Sequence, residues 1–575
     1  MERRTFLKIL SSAGIVSLVS PTFAMEVCKN KVSKSSSALL ESAFRNPPFS
    51  SGVYTWWHWM NGNITKDGIT RDLEAMKANG IAGYQLFEAG SGIPIGPVES
   101  LSDEWVDLIL HTLKESERLG LEFAMHNCPG WSSSGGPWIT PDKAMQIITW
   151  SETKITGGKQ VRIQLPTPKH MFDYYIDTYC LAIPANMKVI PRLSILELSN
   201  RLDKDGVLTW DVPTGEWLIM RFGQTAKDQK NKSAPSKSTG LDCDKFSTEA
   251  LDYHLNCMFK RLMPAMEKIA KHSKIGLLID SYETGDQDWT SDMPAYFEQS
   301  HGYELYPFLP VLANKIVESE ESTKRFLFDF RRVRADMFAE RYYGHFQKRC
   351  KEKGIITYTE PYGGNMMEEL QVAQQLDINM GEFWCGQTVL WANYKYNRTV
   401  KQVASIAHTL GGKVVGAEAF TSEPDADKWL QYPYALKSLG DYMFTRGLSR
   451  IYFHRFAHQP HPTAAPGMTM GAWGLHFDRT NTWWKPGKAW IEYLNRCQYI
   501  FQSSTFYGDI LYHNGDDSFG STIEPEQTLL APPEGYDYDM VNTEMLDKAH
   551  IKDGKILFCF CTKFVRKIPI TSRYK

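Results

Sequence analysis

Residues 276–290 read GLLIDSYETGDQDWT. The apolar run Gly276-Leu277-Leu278-Ile279 breaks off at Asp280, Ser281, Tyr282 and Glu283. Taking charged groups out of water unpaired costs several kcal/mol or forces a change of protonation, so this boundary marks a buried strand emerging into a polar site. The signature recurs. Short apolar runs fall at 53–59, 81–87, 121–126, 275–280, 355–359, 377–382, 413–418 and 449–454, with helical periodicity between them. That order predicts a parallel sheet, and eight strands close a (β/α)8 barrel. A doubly wound open sheet shares the order of elements, but no Gly-rich phosphate loop follows the first strand. The predicted fold class is therefore α/β, a TIM-type barrel with an inserted small β domain and an incomplete C-terminal α/β domain.

The barrel strands fall into two blocks, strands one to three in residues 44–145 and four to eight in 246–505. Trp105, Leu108, Ile109, Thr112, Leu113 and Leu119 form one helical stripe behind the cap Ser102. Leu251, Leu255, Met258, Leu262, Met266 and Ile269 predict another. Residues 146–245 are too long for an ordinary βα loop and alternate apolar with polar, predicting the inserted domain. Asp211-Val212-Pro213-Thr214-Gly215-Glu216-Trp217 has hairpin chemistry, and residues 228–240, DQKNKSAPSKSTG, are the most linker-like stretch. From 506 to 575 another domain begins that is apparently truncated, and its tail CFCTKFVRKIPITSRYK follows neither helical nor strand periodicity.

A chain of 575 residues with 42% hydrophobic content builds more than one domain. Lys plus Arg number 64 against 66 acids, a net of −2, and no basic stripe exists to neutralise phosphates, so nucleic acid is not a predicted partner. The ten cysteines are scattered without a CxxC pair, as buried thiols are. The start, MERRTFLKILSSAGIVSLVSPTFAM, has a charged head, a short apolar stretch and a small-residue end. Residues 1–24 thus read as an export signal, with Arg3-Arg4 of the twin-arginine type, placing the protein in a bacterial periplasm or outside the cell. No segment is long enough for a permanent membrane span.

Polar residues end almost every predicted strand: His58, Gln85 and Glu88, His126 and Asn127, Asp280 and Glu283, Glu360, Glu382, Glu418, and His454 with His458. Active sites of these barrels sit at that rim. Singly, each acid has a bland reading as the partner of an arginine such as Arg450, Arg455 or Arg479. Together, four or five carboxylates on one rim repel, and a cation, protons or donors must offset them. Calcium suits oxygen ligands better than zinc does, with Glu382, Glu360 and Asp280 as candidates. His454 and His458 lack the Glu of HExxH, and Gly130-Trp131-Ser132-Ser133-Ser134-Gly135 is not a nucleophile elbow, so a zinc protease and a serine hydrolase are disfavoured. Two carboxyls beside an aromatic-lined pocket are what glycoside hydrolysis requires. Glu283 and Glu418, from strands four and seven, are the predicted pair, with Trp289 and Trp384 beside them.

Several stretches resemble glycoside hydrolase family 106, the α-L-rhamnosidases: WWHWMNGNIT (56–65), MHNCPGWSSSGGPWIT (125–140), SYETGDQDWT (281–290), EPYGG (360–364), GEFW (381–384), AEAFTS (417–422) and HQPHPTAAPGMTMGAWGLHFDRTNTWW (458–484). The resemblance implies a (β/α)8 catalytic barrel, inversion at the anomeric carbon, active-site calcium, and removal of terminal L-rhamnose from pectin-type plant polysaccharides or rhamnosides. It places the family's essential glutamates at Glu283, Glu382 and Glu418. The expected roles are Glu283 as acid and Glu418 as base, labels that can be exchanged, with Glu382 binding sugar or supporting the metal. His58, His126, Asn127, Glu360 and His454 are further candidates for binding sugar, and Trp57, Trp384 and Phe420 for an apolar patch against the 6-methyl group. A non-catalytic carbohydrate-binding protein of the same fold is the alternative, and rhamnose release abolished by Glu283→Gln and Glu418→Gln separates the two.

Overall fold

The computed structural model describes residues 34–558 and 565–566, apart from 91, 271–273, 387–389, 423–428, 471–473, 516–521, 523, 526–529 and 553–554. The export-signal segment lies outside the described residues. Eight parallel strands, β1 (Tyr54–Met60), β2 (Gly83–Ala89), β3 (Glu122–His126), β4 (Ile275–Ile279), β5 (Ile356–Thr359), β6 (Ile378–Cys385), β7 (Gly416–Ser422) and β8 (Arg450–Ala457), pair in chain order, and β8 closes onto β1. The open-sheet alternative is thereby set aside. β6, β7 and β8 run three or four residues past the expected ends, so Glu382, Glu418 and His454 sit inside strands, not at their tips. The apolar residues that follow, Phe383, Ala419 and Phe456, are fully buried and extend the barrel wall.

Tyrosines fill the barrel near the starts of its strands. The Tyr54 and Tyr452 rings lie 5.2 Å apart, and those of Tyr358 and Tyr452 6.2 Å apart. Their packing needs glycine on neighbouring strands: a Cβ at Gly83 would stand 2.4 Å from the Tyr54 ring and one at Gly276 2.5 Å from the Tyr358 ring. Outside, helices cover the wall, including Lys66–Ala78 and Asp103–Leu119, whose caps Thr65 and Ser102 accept from Gly68 N and Trp105 N. The stripe expected as one helix over 251–269 is two, Thr248–Phe259 and Met263–Ile269, broken ahead of Pro264 because proline cannot continue the hydrogen-bond ladder. No helix among the described residues is long and apolar enough to cross a membrane.

Between β3 and β4, strands Gln146–Thr156, Glu216–Ala226, Ile176–Pro184 and Leu196–Glu197 form one sheet, while Lys159–Gln164 pairs with Val207–Val212 in another. The turn at 213–215 therefore joins two sheets and does not close a hairpin. Residues 228–240 are no linker either: Asn231 and Ser238 are buried against the loops that follow β2 and β3. The C-terminal strands Ile510–His513 and Tyr538–Val541 form a parallel pair whose Tyr538 and Met540 pack with Leu370 and Ile406. In the tail expected to lack periodicity, residues 565–566 pair as a short strand with 555–556.

A buried ionic knot anchors the long connection after β8. Asp72 accepts from His458 Nδ1 at 2.8 Å, Arg479 Nε at 2.7 Å, Gln459 N at 3.0 Å and Trp57 Nε1 at 3.2 Å. Asp72→Ala strands these donors, and a loss of about 3 kcal/mol in unfolding free energy is expected from chemical denaturation.

Candidate active site

At the C-terminal end of the strands a cavity of about 570 Å³ is lined by acids, aromatics and one lysine, a volume typical of a ligand pocket. Strand pleating decides which groups reach it. On β1, Trp56 and His58 face in, while Trp57 and Trp59 pack outward among the helices. Trp56 stacks on Phe87 at 5.1 Å and meets His454 edge-on at 5.4 Å, forming an aromatic wall.

Glu382 and Glu418 are in-register partners on β6 and β7. Both are buried, and Trp384 Nε1 donates to Glu382 Oε1 while Thr421 Oγ1 donates to Glu418 Oε1. Burial pushes Glu418 well above the usual carboxylate range, and the charges of Glu382 and Asp280 add to it. Burial likewise raises Asp280 well above its ordinary value, with Glu283 the next cause. Glu283 differs. It stands three residues beyond Asp280 with its side chain 41% exposed, and Lys232 Nζ donates to its Oε2 at 2.7 Å. His58 and His454 are held well below their ordinary values by burial first and by the Arg455 charge among the other causes, so they are neutral imidazoles.

The cavity thus brings together Asp280, Glu283, Glu382, Glu418, His58, Trp384 and His454 from the expected set. Others lie elsewhere. Trp57 is behind the wall because it has the opposite parity from Trp56, and its indole is tied to Asp72. Phe420 takes φ +63, and the register of β6 with β7 shifts there, which turns its ring outward against Phe383 and Phe453. Asn127 spends its amide on Ser133 O and Leu278 O, pinning β3 to β4. His126, pulled down to about 4 by burial, packs edge-on against Phe87 and does not line the cavity. Glu360 is fully buried and accepts from Tyr362 Oη at 2.5 Å. Trp289 is buried in the core beside the insertion. Trp56, Phe87, Trp131, Lys232, Thr421 and Met470 are lining side chains that sequence reading did not single out; strand parity was the available signal for Trp56, and none existed for Lys232.

The oxygen-rich donor set of Asp280, Glu360 and Glu382 has the chemistry a hard cation takes. Among the described residues no three His, Cys, Asp or Glu side chains converge as metal ligands. Glu360 Oε2 is held by Tyr362, Glu382 Oε1 by Trp384, and Asp280 Oδ1 by Ser281 N. A larger cavity, about 710 Å³, is lined by Lys413, Val415 and Ser449 ahead of β7 and β8, at the opposite end from the acids.

A closed barrel with paired carboxylates over an aromatic wall is the architecture of a glycoside hydrolase. The sequence signature described as alpha-L-rhamnosidase, glycoside hydrolase family 106, matches residues 45–178 and 169–559, and the chain belongs to that family. It is 40% identical over 549 residues to a protein of Formosa agariphila named putative beta-glucuronidase, covering 90% of this chain and 46% of that protein. The chain therefore spans about half the length of that curated relative. It is also similar in fold to a rhamnosidase from Novosphingobium sp. PP1Y, with a TM-score of 0.82 at 23% identity over 91% of this chain and 66% of that one.

Because Glu418 is raised in the folded protein, the fold is penalised as pH climbs from the unfolded carboxylate value of about 4.3 through the folded value. Glu418→Gln removes that penalty. Its thermal midpoint is expected to exceed that of the wild type by about 2 °C or more at pH 7, and the gap should vanish as pH falls below the unfolded value.

Proposed function

We propose that this chain carries the catalytic domain of an exo-acting α-L-rhamnosidase that releases terminal rhamnose from pectin-type polysaccharides or rhamnosides with inversion. It would act outside the cytoplasm, in keeping with the export-type segment at Arg3-Arg4. The observation that carries the reading is that Glu283 and Glu418 line one cavity at different depths.

In a pocket that takes a terminal sugar, the sugar occupies the closed end and the leaving group points to solvent. The group that protonates the glycosidic oxygen then belongs near the mouth, and the group that activates water belongs deeper. Glu283, half exposed, suits the acid; Glu418, buried 6% exposed within β7, suits the base. Raised protonation affinity also matches a base to near-neutral working pH. Glu382, its neighbour in register, would hydrogen-bond the sugar, and Trp56 and Trp384 would cover its apolar face. The name of the Formosa relative points to a different glycoside, a glucuronide, and Lys232 is the one cationic lining group among the described residues that would meet such a carboxylate.

Free rhamnose from an aryl α-L-rhamnoside is the direct test, with NMR of the first-formed anomer reading the stereochemistry. Glu283→Gln should retain most activity on a dinitrophenyl rhamnoside, whose leaving group needs no proton, and lose about 100-fold or more on a sugar leaving group. Glu418→Gln should lose on both. The acid limb of kcat/KM should fall above the ordinary glutamate value, because the base works only when deprotonated and burial raises Glu418. Loss confined to poor leaving groups in Glu418→Gln would exchange the two roles.

A further inference from the structure

The foot of the barrel, where the strands begin, holds a charged cavity of its own. About 410 Å³ in volume, it is lined by Arg450 and Tyr358 from the strands, by Glu122 at the start of β3, and by Lys274 and Lys413 just ahead of β4 and β7. Arg450 opens β8 and is only 6% exposed, and around its guanidinium stand the phenols of Tyr54, Tyr358 and Tyr452, not carboxylates. Its Nη2 donates to Ser50 O at 2.8 Å, its Nε has no partner, and the guanidinium carbon lies 4.6 Å from the centre of the Tyr54 ring. A carbonyl and an aromatic face offset only part of what a buried charge loses with its water. Lys274 and Lys413 are exposed. No ion pair joins Glu122 to any of the three cations among the described residues. Three cations thus face one carboxylate, a net of +2.

We propose that this cavity binds a small tetrahedral oxyanion, phosphate or sulfate, between the Arg450 guanidinium and the ammonium groups of Lys274 and Lys413. A dianion matches the net charge of the lining. Its oxygens accept from the planar fork of the guanidinium, which presents five N–H donors and is suited to oxyanions. A carboxylate brings one charge and two oxygens, leaves half of the cationic excess unmatched, and is the weaker ligand. The site is separate from the catalytic pocket, because Tyr54, Tyr358 and Tyr452 fill the barrel between the two. It touches that pocket through one element. Arg450 stands at the start of β8, and His454, further along the same strand, lines the catalytic cavity. The anion therefore steadies the strand from below and takes no part in bond breaking.

Titration calorimetry of the whole chain with sodium phosphate, sodium sulfate and sodium acetate tests this, in chloride buffer at constant ionic strength. One saturable site per chain is expected for phosphate and for sulfate, each about tenfold tighter than acetate, as one more charged hydrogen bond gives. The ratio of the first two affinities shows which anion the site prefers. Lys274→Met combined with Lys413→Met should weaken phosphate about tenfold or more. Arg450→Lys keeps the charge but loses the fork, and should weaken it as well. The thermal midpoint of the wild type should rise with phosphate and stay put with added chloride. Absence of saturable binding by both phosphate and sulfate overturns the proposal. So does binding that the double variant leaves unchanged, which puts the anion elsewhere. Acetate as tight as phosphate overturns the tetrahedral class. If Arg450→Lys does not fold, the double variant decides, since it alters exposed side chains only. Every arm is read without a glycoside, so its outcome and that of the rhamnosidase reading are independent.

Discussion

Glu382 and Glu418 stand side by side on adjacent parallel strands, and the site is organised around their repulsion. Strands about 5 Å apart bring two such charges to a mutual cost of about 3 kcal/mol at an effective dielectric near 20. Burial adds to it, since neither carboxylate is well hydrated. Three responses are visible. Each glutamate takes a donor from two or three residues further along its own strand, Trp384 for Glu382 and Thr421 for Glu418. Glu418 moves up in pKa, which reduces the charge that is present. The remaining acid of the proposed pair, Glu283, is kept out at the mouth, where water and Lys232 stabilise it.

The same alternation that creates the repulsion explains which parts of the molecule could be found from sequence. Barrel strands buried on both faces are continuous apolar runs ended by polar groups, so all eight are visible as runs. What a run does not display is phase. Trp56-Trp57-His58-Trp59 offers four ring-bearing residues, and only the pleat tells that Trp56 and His58 face the cavity. A register shift defeats even correct counting. By simple parity Phe420 would accompany Glu418 inward, but the left-handed residue in the strand turns it to the helix side. Lys232 was beyond reach for another reason: its partner Glu283 is 51 residues away in sequence and Ser132 100, and a stretch rich in Lys, Ser and Asn has the composition of a linker whether or not it is packed.

The inserted domain thus has a place in the catalytic architecture as well as in the chain order. Its strands form sheets of their own, but the segment that follows them is held between the loops after β2 and β3 by backbone bonds. Those loops carry Trp131 and Gly92, which also line the cavity. Three separate pieces of chain are therefore fixed to one another before any side chain meets a sugar, which is what positioning to within a fraction of an ångström demands.

The closed end of the pocket follows from the other end of the same strands. Tyr54, Tyr358 and Tyr452 fill the barrel where the strands begin, with the Arg450 guanidinium 4.6 Å from the centre of the Tyr54 ring. Above them Leu278, Met380, Trp56 and Phe87 continue the packing up to the acids. A substrate can enter only from the rim. In the proposed reading depth is what distinguishes the two glutamates, Glu418 buried within β7 and Glu283 half exposed at the mouth.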